Sequence, residues 1–480
     1  MPIEDISELV EKLEKAGELK RVKTQVDSNL EVSEILSRVM YSNGPAILFE
    51  NVKDFDMPIL ANAFGSLRRL EIGLEMQDFT EIGQRIVDMT RMEMPTGIID
   101  KLRKLPELSK MADIAPKLQK SGPVTEVIEE SPTFDKIPIL KTWPKDAGRF
   151  ITFGLIATKH PETSVRNLGV YRMQVIDSTH ALMHWQKHKR GAHHYDIKKD
   201  SGNRIEAAVI IGSDPATVFS AVAPVPEGLD KYVFAGITRK TGIKTVKCRT
   251  VDLEVPANAE IILEGYVDPT DIRMEGPFGD HTGYYTPPEP YPVFTLTGIM
   301  RRQKPVYLTT IVGKPILEDA YIGKVIERSF LPLIRMFHPE VVDFAMPASG
   351  WFQGMAIISI KKRYPGQAKK VMMGLWGMGQ LALTKFFVVV DEDVNVHDLN
   401  DVVWAITTRS DAARDTVIIN NTPTDTLDPA SPLVNLGSKL GIDATQKTKE
   451  EGYQREIQEL VKSDESTKKI VDSKWSSYGI

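Results

Sequence analysis

The sequence predicts two α/β units flanking a middle stretch of strands, and three observations predict it. Strand-like and helix-like periods alternate up to about residue 115 and again from about residue 320. Between about 120 and 310, strand-like runs punctuated by Gly, Pro and Asp dominate, as in a β-barrel or sandwich. The composition, 42% hydrophobic and 26% charged, is that of an ordinary globular protein. The resulting boundaries are 1–118, 119–312, 313–445 and a polar tail over 446–480.

Residues 5–16 open the first unit as a helix, with Ile6, Leu9, Val10 and Leu13 on one face, Asp5 as cap and Gly17 as stop. LEVSEILSRVM at 30–40 reads as a second amphipathic helix and PAILFENV at 45–52 as a strand. The middle strands are ITFGLIATKH, NLGVYRMQVID, HALMHW, IEAAVIIG, TVDLEVP, AEIILEGYV and YPVFTLTGIMRR. In the last unit IGKVIERSFLPLIRMF, AKKVMMGLWGM and DLNDVVWAITTR read as helices, and GMAIISIKKR, TKFFVVVDEDV and DTVIIN as strands. The tail has helical spacing at Ile457, Leu460 and Val461, and is expected either to dock on another subunit or to fray.

A net charge of −5 argues against a dedicated nucleic-acid binder. The one cysteine, Cys248, excludes an intrachain disulfide and a multi-cysteine metal site, and suits a reducing cytosol. No run approaches the ~18 apolar residues of a membrane span. The N-terminus lacks a secretory pattern, so a cytoplasmic protein is expected, with a loose membrane contact left open.

Three stretches could carry chemistry. EGPFGDHTGYY, 275–285, sets Glu275 and Asp280 in a loop with Gly276, Pro277 and Gly279 between them, followed by His281. Paired carboxylates in one cleft raise each other's pKa, so that one can act as an acid; the plainer alternative is a decorated turn. NLGVYRMQVID, 167–177, read as a strand, puts Arg172 on a mostly apolar face with Leu168, Val170, Gln174 and Ile176. A buried guanidinium there needs a carboxylate or phosphate, or forms a structural ion pair. HALMHWQKHKRGAHHYD, 180–196, holds five of the nine histidines together with Lys187, Lys189 and Arg190. It reads as a solvated basic loop or, more sharply, a phosphate site.

Taken together, these stretches resemble the UbiD family of decarboxylases, which use prenylated FMN. The resemblance extends over nearly the whole chain, through GELKRV at 17–22, GPAILFENV at 44–52, DPATVFSAVAPVP at 214–226, DLEVPANAEIILEGY at 252–266 and WAITTRSDAARDT at 404–416. It implies an N-terminal α/β domain, a central split β-barrel that binds the flavin, a C-terminal α/β domain, a terminal helix that crosses a dimer, and homodimers or hexamers. It implies a catalytic trio at Arg172, Glu275 and Asp280, with Asp280 as proton donor. Cofactor contacts fall on Val170, Tyr171, Arg172, His184, Trp185, Gln186, Lys189 and Arg190.

The family's manganese ion, with potassium nearby, implies ligands at Asn167, at a histidine matching His188, and at a glutamate. Lys231 stands where that glutamate is expected. Lys231 is therefore expected to set its ammonium against the flavin phosphate and partly replace the metal, unless a neighbouring acid, Glu227 or Asp230, shifts in and keeps it. The implied reaction is non-oxidative loss of CO2 from an unsaturated or aromatic acid. The nearest branch acts on polyprenyl-4-hydroxybenzoate in quinone synthesis, and others act on anhydromevalonate phosphate in archaeal isoprenoid synthesis or on small phenolic acids. A flavin prenyltransferase is implied as supplier of the cofactor. A non-catalytic assembly subunit and an FMN reductase are the readings from other classes; the intact trio argues against the first and the two loop acids against the second.

Overall fold

The computed structural model describes residues 2–91, 112–187, 189–200, 202–225, 228–456 and 458–480. Asp5 caps the first helix, Ile6–Lys15, by accepting from the Glu8 N–H, and Ile6, Leu9, Val10 and Leu13 are buried as their spacing requires. The helix Glu31–Tyr41 follows. A four-stranded sheet runs in the order Leu19–Val22, Ala46–Phe49, Ile59–Ala61, Tyr307–Thr309. Its last strand comes from far along the chain and stitches the first unit to the end of the barrel.

The middle of the chain forms one antiparallel sheet in the order Arg149–Ile151, Met173–Val175, His180–Met183, Glu289–Arg301, Ile261–Glu275, Ile205–Ile211, Leu155–Lys159, Arg166–Val170. Arg166–Val170 is one end of that order, and Met173–Val175 lies next to the other. Only Tyr171 and Arg172 join them, so Val170 and Met173 lie within roughly 11 Å of each other. The sheet must therefore curl until its ends nearly meet, which makes a split barrel with Arg172 at the seam. NLGVYRMQVID is accordingly two strands rather than the single alternating strand expected from sequence. Both its faces are buried, because the interior and the covering helices each claim one.

Three helices interrupt the strand-rich middle: Arg190–Asp200, Pro215–Val222 and Lys231–Arg239. The first replaces the expected basic loop, and the third carries Lys231 as its first residue. Asp214 and Asp230 cap the second and third through the Thr217 and Tyr232 N–H groups.

The last unit is a five-stranded sheet, Val341–Ala345, Met355–Ile360, Phe386–Asp391, Leu436–Ala444, Thr416–Pro423. Separate apolar clusters cover its two faces. The tail carries a helix over Glu465–Lys474, later than the expected spacing; Leu460 and Val461 precede it and Ile457 lies outside the described residues. Among the described residues no helix is long and apolar enough to cross a membrane.

Candidate active site

Arg172 leaves the barrel seam and meets both loop acids. Its Nε and Nη2 donate to the two Glu275 oxygens at 2.7 and 2.9 Å, and its Nη1 donates to Asp280 Oδ2 at 2.5 Å. Nη2 also donates to Thr286 Oγ1 at 3.1 Å. All three ionic groups are buried, Glu275 completely. The Phe278 ring lies under the guanidinium at 4.6 Å, so the cluster sits on an apolar floor. Gln174, two residues along from Arg172, accepts the Gly276 N–H at 2.8 Å, so both side chains serve the same loop.

The loop is pinned by groups that no motif announced. Asp146 accepts the N–H groups of Gly279 and Trp143, each at 2.8 Å, and Trp143 Nε1 donates to the Val312 carbonyl. A Cβ at position 279 would lie 2.2 Å from the Trp143 indole, so only glycine lets the loop pass.

The electrostatics differ from the shared-proton pair expected from sequence. Burial pushes the Glu275 carboxyl up, but hydrogen bonds from His184 and Arg172 outweigh it and bring it down to about 2. Burial likewise opposes ionisation of Asp280, and His281 and Arg172 outweigh it. With a cation between them the two acids do not compete for one proton, and both are carboxylates. The proton sits one residue on. His281 Nδ1 is 2.9 Å from Asp280 Oδ1, and despite burial the carboxylate raises the imidazole's pKa. The His281 ring packs against Trp351 and Phe352 of the last unit, 5.8 and 5.6 Å between centroids. Asp319, pushed up to about 6 mainly by burial, lies near the same pair.

His184, expected at the cofactor, lies against Glu275, with Nδ1 3.3 Å from Oε2; burial and then Arg172 push its pKa down, so the ring is neutral. Val170 is half-buried, while Tyr171 and Trp185 are buried and meet edge to face at 5.0 Å. Gln186 and Lys189 line a narrow cleft, with Gln353, Gln380, Leu383, Asp425 and Thr426 of the last unit opposite. Burial pushes the Lys189 pKa down, and the charges of Asp425 and Asp280 oppose it.

Lys189 and Arg190 enter the helix Arg190–Asp200 at its positive end, and both lie close to Lys231. The Lys231 ammonium donates to the backbone carbonyls of Ser220, Ala221 and Ala223. Burial, and then Arg190 and Lys189, push the Lys231 pKa well down, and its donors go to those carbonyls; Lys189 and Arg190 at a helix N-terminus are the groups that fit a phosphate. Among the described residues buried Trp185 Nε1 lacks a partner, a further donor for a ligand, and the Asn167 amide lies at the Tyr171 hydroxyl. The same residues do not fit a divalent metal. No group of three His, Cys, Asp or Glu side chains is close enough to hold one among the described residues. Asp230 is engaged by Arg166 at 2.7 Å and by the Tyr232 N–H. His188 and Glu227 lie outside the described residues.

Comparison with known proteins places this split barrel in a class of carboxy-lyases. Models of the UbiD family, described as the N-terminal, Rift-related and C-terminal domains of 3-octaprenyl-4-hydroxybenzoate carboxy-lyase, match residues 10–87, 117–315 and 320–444. The chain belongs to the UbiD family, whose members are decarboxylases. An uncharacterized protein of Archaeoglobus fulgidus is 53% identical over 99% of this chain and 98% of its own. One of Aquifex aeolicus is 46% identical over 99% of each.

Among solved structures, the closed form of Sedimentibacter hydroxybenzoicus vanillic acid decarboxylase superposes with a TM-score of 0.87 at 26% identity, over 99% of each chain. Its open form gives 0.78 over 100% of each, so the arrangement of units here is nearer the closed one. The UbiD-class enzyme HmfF of Pelotomaculum thermopropionicum, in complex with FMN, gives 0.79 at 28% identity over 97% of this chain and 99% of that one.

Proposed function

We propose that the chain removes CO2 without oxidation from an unsaturated or aromatic carboxylic acid, with prenylated FMN held between the barrel seam and the last unit. The observation that carries this reading is the Arg172 guanidinium shared by Glu275 and Asp280 beside a cationic, helix-capped anion site. HmfF has been solved in complex with FMN and with prenylated FMN, which supports the choice of cofactor. Lys189, Arg190 and the N-terminus of their helix would take its phosphate, with Tyr171, Trp185 and Gln186 alongside. Bound there, the group supplies an electrophilic ring that accepts the electron density released as the bond to the carboxylate carbon breaks.

The protein's own part is positioning and proton supply. Arg172 carries five N–H donors, of which four are spent on Glu275, Asp280 and Thr286. The remaining one on Nη1 is left to orient the substrate carboxylate. CO2 leaves without its bonding electron pair, and the carbon that keeps the pair needs a proton. Asp280 delivers it, and because Asp280 rests as a carboxylate it draws that proton from His281 Nδ1 at 2.9 Å. The stacked Trp351 and Phe352 exclude water from the relay.

The cleft favours a compact polar acid over a polyprenylated one. Of its seven lining residues only Leu383 is aliphatic, so a prenyl chain finds little apolar surface there. Small phenolic acids and a phosphorylated acid both fit that description. The exposed Ile470, Trp475, Tyr478 and Ile480 of the tail support docking on a second copy. Protein coexpressed with a flavin prenyltransferase should release CO2 from small phenolic acids or anhydromevalonate phosphate and not from polyprenyl-4-hydroxybenzoate. A flavin spectrum of unmodified FMN with NADH oxidation, or no flavin, would overturn the reading.

A further inference from the structure

The helix Pro215–Val222 ends in carbonyls that have no intrahelical donor. Ser220 and Ala221 belong to that last turn, and Ala223 is its C-cap. Into this ring of oxygens runs the Lys231 side chain, with Nζ 2.8 Å from Ser220 O, 3.5 Å from Ala221 O and in contact with Ala223 O. The ring is held rigidly to the lysine's own backbone, because Ser220 Oγ donates back to the Lys231 carbonyl. Burial, and then Arg190 and Lys189, work against the protonated amine; the three acceptors, which match its three donors, and the negative end of the helix dipole are what favour a cation there. A ring of backbone carbonyls of this kind is also how a potassium ion is stripped of water and held. In the connection that follows, Arg190 takes the carbonyls of Val225 and Leu229.

We propose that Lys231 is a tethered monovalent cation, seated in a carbonyl cage that would otherwise take a free ion, so that the adjoining phosphate site works without bound metal. The assignment to a phosphate site rests on the proposed function; the cage itself does not. Among the described residues nothing offers the ligand set of a divalent ion. The nearest described acid, Asp230, is bound to Arg166 and caps the helix Lys231–Arg239. Asn167 offers a neutral amide, and a divalent ion beside the Lys231, Lys189 and Arg190 charges would be repelled. The lysine sits at the first turn of its own helix, where a cation is disfavoured, so its place there has to be repaid by the carbonyls and by an anion alongside.

The test uses flavin-free, full-length protein, so a failed decarboxylation screen leaves it decisive. The parent is dialysed against manganese and potassium salts, desalted and assayed for both metals. Its thermal unfolding is then compared in potassium and in choline chloride at equal ionic strength. The expected result is less than a tenth of an equivalent of either metal and the same unfolding temperature in both salts. Lys231→Ala empties the cage, and its unfolding temperature should be several degrees higher in potassium than in choline or lithium. Lys231→Met, which refills the space without charge, should be less stable than the parent and indifferent to potassium. A parent that retains an equivalent of manganese or potassium overturns the proposal, as does a Lys231→Ala protein indifferent to potassium. If Lys231→Ala folds only when potassium is present, the proposal is supported; if it folds in neither salt, the parent's metal content decides.

Discussion

Glu275 and Asp280 lie on either side of one guanidinium, the first gripped by two nitrogens of Arg172 and the second by the third. The arrangement needs a planar fork, which lysine lacks. Arg172→Lys should therefore leave one acid unpaired in a buried site. We expect CO2 release to fall at least ~100-fold, with a stability loss of about 3 kcal/mol from the uncompensated buried charge. Urea unfolding alongside single-turnover CO2 release measures both.

Asp280 and His281 make a second prediction. Asp280→Asn keeps the shape and a hydrogen bond but cannot carry the proton, so turnover should drop by about 10³-fold with the cofactor spectrum unchanged. His281→Gln should change the pH profile instead. The imidazole's pKa is raised by Asp280, so the proton is present below that value and is lost as pH rises through it. The parent's activity should thus fall on the alkaline side, and the glutamine variant should lose that limb while keeping a low, flatter rate. An alkaline limb unchanged in His281→Gln would remove the histidine from the relay.

The trio also sets an acid limit to stability. Glu275 titrates near 4.5 when free and at about 2 in the fold, so its contribution is complete above the free value and lost as pH falls toward the folded one. The difference corresponds to about 3 kcal/mol. Stability measured between pH 5 and pH 2 should decline steeply in the parent. In Glu275→Gln, which has no such proton to gain, the decline should be shallower from a lower starting point.

How far the sequence discloses this site depends on whether the relevant contact is local. Residues Glu275 to Tyr285 carry two acids, the glycines and His281 in one short loop, so the chemistry was legible there, and Arg172 was legible as a cation on a strand. What sequence did not disclose was the sign of the pKa shifts. The two acids look like a like-charge pair until a guanidinium 103 residues away from Glu275 is placed between them. The helices Pro215–Val222 and Lys231–Arg239 carried a cap and, in the first, a leading proline, but apolar runs short enough to pass for strands hid them. The break at Tyr171 was invisible, because the curl of a sheet is a property of its pairings and not of one strand. The roles of Trp143 and Asp146 at the loop rest on contacts over 133 and 169 residues, beside one local bond between them.

Those last contacts yield the sharpest test of positioning. Gly279 passes so close to Trp143 that a methyl group would lie 2.2 Å from the indole. The indole is itself fixed through Nε1 to Val312, and Asp146 ties the two segments together. In Gly279→Ala the loop, being the lighter partner, should move, and Asp280 moves with it. A displacement near 1 Å at a proton donor is expected to cost about 10²-fold in rate, against only about 1–3 kcal/mol in stability from overpacking. If the loss is positional, room made on the other side should restore it. The double variant Trp143→Leu, Gly279→Ala is therefore expected to recover at least tenfold of the lost rate while unfolding no later than the single variant. Rate and stability recovering together would show instead that the glycine matters only to folding.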